Sequence, residues 1–238
     1  MKLYNEIPLL LECLERWQTR PTPTQFQLEY AQPLARVTGN FFDDFYEVLF
    51  DLDWPKYREH TLKMDANREQ QRVTQCLDAV QDCFGVKLEG DILMLGTFHT
   101  MDGYSRFDRG SHRVYLGLDE DFDTGRYIEM LTVHEFTHVA RESRPEVWAG
   151  FGLDVNMTQD EFTENLPSIE HLVGEGFSCA ISESLVPGEP KWRYGYQTEA
   201  GLEKVFKNSE KLDRFIHEEL KRKDGDYGRF YGLRPHFI

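Results

Sequence analysis

Hydrophobic residues recur every three or four positions in the first stretch of the chain. Leu3, Ile7, Leu10, Leu14 and Trp17 fall on one face of a helix, which Pro21 and Pro23 bring to an end. From Gln25 to Trp54 aromatics crowd the chain (Phe41, Phe42, Phe45, Tyr46, Phe50), and the segment reads as short helical pieces capping a core. Val73, Cys76, Leu77, Val80 and Phe84 line a further helix, with Gly85 as its C-terminal cap. The period then shortens. Asp91 to Leu95 (DILML) and His112 to Leu118 (HRVYLGL) read as strands, the second setting Val114, Leu116 and Leu118 on one face, with a turn-rich loop between them. Asp123 or Thr124 is a fitting N-cap for a helix that runs to about Glu142 and stops before Pro145. A loop holding Trp148, Gly150 and Gly152 follows, then a helix from Asn165-Leu166-Pro167 through Glu175 to Ser184. Leu202, Val205, Phe206, Leu212, Phe215, Ile216 and Leu220 mark a last amphipathic helix.

Few strands, placed mid-chain and flanked by helices, predict the α+β class: mostly helical, with a small mid-chain sheet packed against the helix that ends near Glu142. Residues 1–90 are expected as an N-terminal helical region packed on a core of residues 91–238, the two forming one compact unit.

Composition narrows the function. With 27 Lys and Arg against 42 Asp and Glu, the chain carries a formal charge of -15, and no basic cluster outweighs its acidic surroundings. Nucleic acid and anionic membrane surfaces are therefore not expected partners. Cys13, Cys76, Cys83 and Cys179 form no CxxC pair and sit in apolar helical patterns, as buried free thiols in a reducing compartment would. The first seventeen residues contain Glu6, Glu12 and Glu15 and lack the plan of a signal peptide, and no apolar run reaches membrane-spanning length. The expected location is the cytoplasm.

One stretch adds chemistry. Leu131-Thr132-Val133-His134-Glu135-Phe136-Thr137-His138-Val139-Ala140 contains H-E-x-x-H within a helical pattern. Residues four apart lie on one helix face, roughly 6 Å apart along the axis, so two imidazoles can converge on one ion. Zinc takes nitrogen ligands at about 2.0–2.1 Å, usually with four partners, which leaves room for a third protein ligand and a water. Glu135, next to His134, can reach that water as general base without binding the metal. Glu175, flanked by Gly174 and Gly176, is the first choice for the third ligand, since the missing side chains would let helix and metal approach closely. His171, one turn earlier, is the alternative. Glu170 or Glu164 could accept the free N–H of a ligating histidine. Tyr194 and Tyr196 are the foremost donors to a developing oxyanion; Tyr227, Tyr231, His112 and His236 are others. The acidic run from Asp119 to Asp123 imitates an EF-hand loop but has Thr124 where the turn needs glycine and Met130 where it needs glutamate, so calcium is not expected.

HExxH followed by Glu175-Gly176 on a second helix resembles the gluzincin pattern. More narrowly, residues from about Leu93 to Phe206 resemble a bacterial family of predicted zinc-dependent proteases, a domain of unknown function. Asp102-Gly103-Tyr104, Val114-Tyr115-Leu116-Gly117-Leu118, the HExxH helix, Gly174-Glu175-Gly176 and Tyr194-Gly195-Tyr196 carry that resemblance. It implies a zincin-like fold, zinc, a peptide or protein substrate and peptide hydrolysis, with HRVYLGL as the edge strand beside the cleft. A catalytically silent zincin-fold binding protein, or a zinc hydrolase of a non-peptide amide or ester, are the alternatives. The chain departs from thermolysin-like gluzincins one turn after Glu175, where Cys179 replaces an acidic residue.

Overall fold

A computed structural model describes residues 1–39, 41–42, 49, 52–108, 110–119, 125–154, 156–158, 161, 165–196 and 198–221. The fold is α+β, about 60% helical, with one four-stranded mixed sheet. The chain packs as two compact units, one of residues 1–78, 89–105 and 113–132, the other of residues 79–88, 106–112 and 133–238.

The first unit opens with a strand that periodicity conceals. Lys2–Asn5 is β1, and the helix expected from Leu3 begins only at Ile7, as α1 (Ile7–Arg16). Pro8 in the first turn costs no hydrogen bond there, and Ile7, Leu10, Cys13 and Leu14 are buried. Next come α2 (Pro23–Phe26), a π-helical turn (Gln27–Ala31) and α3 (Gln32–Thr38), then α4 (Trp54–Thr61) and the first part, to residue 78, of α5 (Ala66–Phe84). The Thr22–Gln25 capping box starts α2. Gly85, at φ 62°, ends α5: its N–H bonds Asp82 and that of Val86 bonds Gln81, a Schellman arrangement.

The sheet comprises β1, β2 (Asp91–Leu95), β3 (Gly103–Asp108) and β4 (Ser111–Gly117), in the order β1-β2-β4-β3. It is thus not purely mid-chain, since β1 comes from the N-terminus. β2 pairs in parallel with β1 (Leu3 opposite Ile92) and with β4 (Ile92 opposite Val114). A parallel strand covered on both faces needs a continuous apolar run, and Ile92 to Leu95 are all buried. The HRVYLGL strand is interior, so its expected place at the sheet edge is overturned. The edges are β1 and β3, and β3 lies in the segment that reads as loop.

Leu93, Leu95 and Tyr115 join a cluster with Trp17, Phe26, Tyr30, Trp54, Tyr57 and Phe98. Phe98 and Tyr30 meet edge to face at 5.3 Å. Phe98 and His99 hold positive φ (54° and 58°), and a fully buried Asp119 pins this turn. Its carboxylate accepts from the N–H groups of Thr97 and Phe98 (2.7 Å each) and from the Tyr57 hydroxyl (2.6 Å). Gly117 at the end of β4 is obligatory, because a Cβ there would stand 2.2 Å from the Met101 carbonyl oxygen.

In the second unit the C-terminal part of α6 (Tyr127–Glu142) is followed by α7 (Pro145–Ala149), α8 (Ser168–Leu185), α9 (Lys191–Tyr194), α10 (Glu199–Lys207) and α11 (Ser209–Glu219). The Trp148 indole N–H caps α6 at the Glu142 carbonyl (2.6 Å). The expected last helix is two: the Asn208 amide donates to the Lys204 carbonyl (2.8 Å) and closes α10 before α11 begins. All four cysteines are free thiols; Cys13 and Cys76 are buried, Cys179 is half-buried and Cys83 is exposed, contrary to expectation. Among the described residues no helix is long and apolar enough to cross a membrane. The expected N-cap, Asp123 or Thr124, lies outside the described residues.

Candidate metal centre

Two helices of the second unit bring the centre together. In α6, Phe136, Val139 and Ala140 are fully buried, and His134 and His138 share another face one turn apart. Facing them is α8, which enters from Pro167 in extended conformation and carries Glu175 two turns in. An ion pair between Arg141 and Glu170, both largely buried, ties the helices beside the cluster. Glu170 is thereby committed to Arg141, contrary to its expected role as partner of a ligating histidine; Glu164 lies outside the described residues.

The donor atoms of His134, His138 and Glu175 all lie within 4.8 Å of one another. His134 Nε2 is 3.1 Å from His138 Nε2 and 3.2 Å from Glu175 Oε2, and His138 Nε2 is 3.7 Å from Glu175 Oε1. These donors are close enough together for the cluster to hold a metal ion. His171 is buried one turn before Glu175 and is not one of the converging donors; burial lowers its pKa.

The electrostatics favour a cation. Burial alone would lower the pKa of His138, yet its bond to Glu175 and the charges of Glu135, Glu175 and Glu142 raise it to about 9. Burial would likewise raise Glu175, but the hydrogen bonds and charge of His134 and His138 pull it well below the usual carboxylate range. Glu142, one turn past His138, is pushed up to about 7 by burial, against the opposing charge of His138. Three carboxylates, two on α6 and one on α8, thus act on His138.

Glu135 is 7% exposed, and its charge acts on His138 and Glu142. The two tyrosines part ways. The Tyr194 hydroxyl donates to the Val186 carbonyl (2.7 Å) and accepts from the Glu189 N–H (3.1 Å), so it holds the exit of α8 and is not an oxyanion donor. Tyr196 takes a left-handed backbone (φ 53°), and its ring stands edge-on to His134 at 5.3 Å. His112 is buried beside Phe107, with Nε2 3.4 Å from Ser143 Oγ and Nδ1 3.8 Å from Glu142. Tyr227, Tyr231 and His236 lie outside the described residues.

Neither glycine beside Glu175 is demanded by packing. A Cβ on Gly176 would meet nothing, and one on Gly174 would make ordinary 3.8 Å contacts with His138 and Arg141. Cys179, one turn after Glu175, does reach the centre: its sulfur is 3.9 Å from His134 Nδ1. Burial raises its thiol to about 11, so it stands there neutral. Its i+4 spacing from Glu175 is the signal in the sequence for that contact, as the same spacing from His138 is for Glu142.

No protein-family model, curated protein or solved structure matches the chain.

Proposed function

We propose that this protein is a zinc-dependent peptidase of the gluzincin type, with a zincin-like fold and a peptide or protein as its substrate. The observation that carries the reading is the convergence of His134 Nε2, His138 Nε2 and the two oxygens of the Glu175 carboxylate, at separations of 3.1, 3.2 and 3.7 Å, with Glu135 between the histidines in sequence. Zinc held there supplies a Lewis acid that acidifies water and polarises a carbonyl. Glu135 takes the proton of the attacking water and passes it to the leaving amine. The resemblance of the HExxH and Gly174-Glu175-Gly176 segments to gluzincins supports the assignment, and the carboxylate at Glu135 argues against a purely structural site. Tyr196, packed against His134, supplies the phenol that stabilises the developing oxyanion.

The test is Glu135→Gln, which preserves shape and removes the base. Peptide hydrolysis should fall by about 10²–10⁴-fold while zinc stoichiometry stays unchanged. Undiminished cleavage would remove Glu135 from the reaction. Cleavage of esters or non-peptide amides but of no peptide would move the substrate class. Zinc binding with no hydrolysis of either would leave a silent binding protein.

A further inference from the structure

α6 and α8 meet at the candidate centre without interlocking there. A Cβ on Gly174 would stand 3.8 Å from the His138 ring and from the Arg141 guanidinium, but glycine has none to wedge between them. Around that point the contacts climb α6 as they descend α8. His134 meets Cys179 (3.9 Å), His138 meets Glu175 (3.7 Å), and Arg141 meets Glu170. The ligands converge in this register alone. Turning α8 by one residue would carry Glu175 about 100° around the helix axis, and sliding it by one turn would carry it about 5.4 Å along. Either displacement is larger than a metal bond of about 2 Å can follow.

Arg141 and Glu170 stand just outside the ligand set, with side chains 18% and 8% exposed. Taking both charges out of water costs about as much as their attraction returns, so such a pair adds little net stability. A well-packed apolar pair of similar volume would serve the fold as well. Apolar side chains, however, slide past one another cheaply, whereas a buried carboxylate moved off its guanidinium is left uncompensated. Each charge also sits where its own helix favours it, Glu170 in the first turn of α8 and Arg141 in the last turn of α6. Fixing these two residues against each other fixes the ligands. His138 lies three residues before Arg141, and Glu175 lies five after Glu170.

We propose that the Arg141–Glu170 pair is a positioning device for the metal centre, holding α6 and α8 in the register that brings Glu175 to the histidines. The inference rests on the reading of His134, His138 and Glu175 as a zinc site. Apparent affinity falls with the fraction of molecules already in the binding register, so a register kept by about one molecule in ten weakens zinc binding about tenfold. The test compares wild type with the double variant Arg141→Met, Glu170→Leu, which removes both charges and keeps side-chain bulk. Arg141→Met alone would strand the buried Glu170 charge and destabilise the fold for reasons unrelated to register. In competition with a calibrated chelator, the double variant should bind zinc at least about tenfold more weakly, while its metal-free form melts at or above wild type. Loaded with cobalt, it should show the visible absorption spectrum of wild type, because no ligand is lost. Glu170→Gln, which keeps the hydrogen bond without the charge, should bind zinc with intermediate affinity. Zinc affinity of the double variant within about threefold of wild type would overturn the proposal. So would a changed cobalt spectrum, or a loss of affinity matched by a loss of metal-free stability, the mark of a merely structural pair. A folded wild type that binds no zinc would overturn the reading of the centre and this inference with it, whereas equally tight binding by wild type and double variant would overturn the inference alone.

Discussion

Replacing Cys179 by aspartate should tighten zinc binding while loosening the metal-free protein. With Nε2 of His134 turned toward the donor cluster, Nδ1 is the nitrogen left to carry a proton, and it faces the Cys179 sulfur at 3.9 Å. A neutral sulfur is a weak acceptor at any distance, and here it is a long one. A carboxylate oxygen reaches one bond farther from Cβ than a thiol sulfur does, which brings it within hydrogen-bonding range of Nδ1. Partners of that kind on metal-bound histidines are worth about 10–100-fold in affinity, or about 1.4–2.8 kcal/mol. The cost falls on the metal-free state, where a second half-buried carboxylate stands one turn from Glu175; like charges so spaced repel by a few tenths of a kcal/mol on an open helix and by more where water is excluded. Zinc affinity is measured by competition with a calibrated chelator, and thermal unfolding is followed with and without zinc. The aspartate variant should melt below wild type without zinc and above it when loaded. Cys179→Ser, of similar size and uncharged, should leave affinity within about threefold. Equal or weaker zinc binding in the aspartate variant, or the same gain in the serine variant, would refute the reasoning.

Other expectations concern the scaffold. Asp119→Ala strands three buried donors, the N–H groups of Thr97 and Phe98 and the Tyr57 hydroxyl, and should cost about 3–5 kcal/mol in urea unfolding; a loss below about 1 kcal/mol would show that the carboxylate does not hold the 98–99 turn. His112 is buried and its pKa is lowered to about 4. Since the unfolded chain takes up that proton first, its contribution is intact above about pH 6.5 and is lost as pH falls toward 4, about 2–3 kcal/mol in all. His112→Phe should flatten stability over that window, and an unaltered profile would place the acid sensitivity elsewhere.

The His134-His138-Glu175 cluster was legible because its members obey helical geometry. His134 and His138 are four apart, and Glu175 stands out in a second helical pattern, so three positions could be named without knowing how the helices meet. The residues around them were harder to assign. Tyr194 and Tyr196 differ by two positions, and only the left-handed backbone at Tyr196 sends one toward His134 while the other secures the end of α8. The sheet was read in part. β2 announced itself as an unbroken apolar run, but Lys2–Asn5 is too short to show a period of two beside a helix whose spacing Leu3 happens to extend. Strand order is a long-range property, and nothing local in His112–Leu118 distinguishes an interior strand from an edge. Asp119 stood out only as the first acid of a run that fails as an EF-hand loop, because the groups that it serves, Tyr57 and the 97–98 backbone, are remote in sequence.

On the proposed function, His134, His138 and Glu175 form one metal site. Elemental analysis of wild type, His138→Ala and Glu175→Ala, each purified without added metal and again after zinc loading and desalting, tests it most directly. About one zinc per chain is predicted in wild type, with sharp loss in both variants while circular dichroism shows them folded. Loss in His138→Ala alone would remove Glu175 from the site, and a folded wild type that neither carries nor takes up zinc would contradict the account.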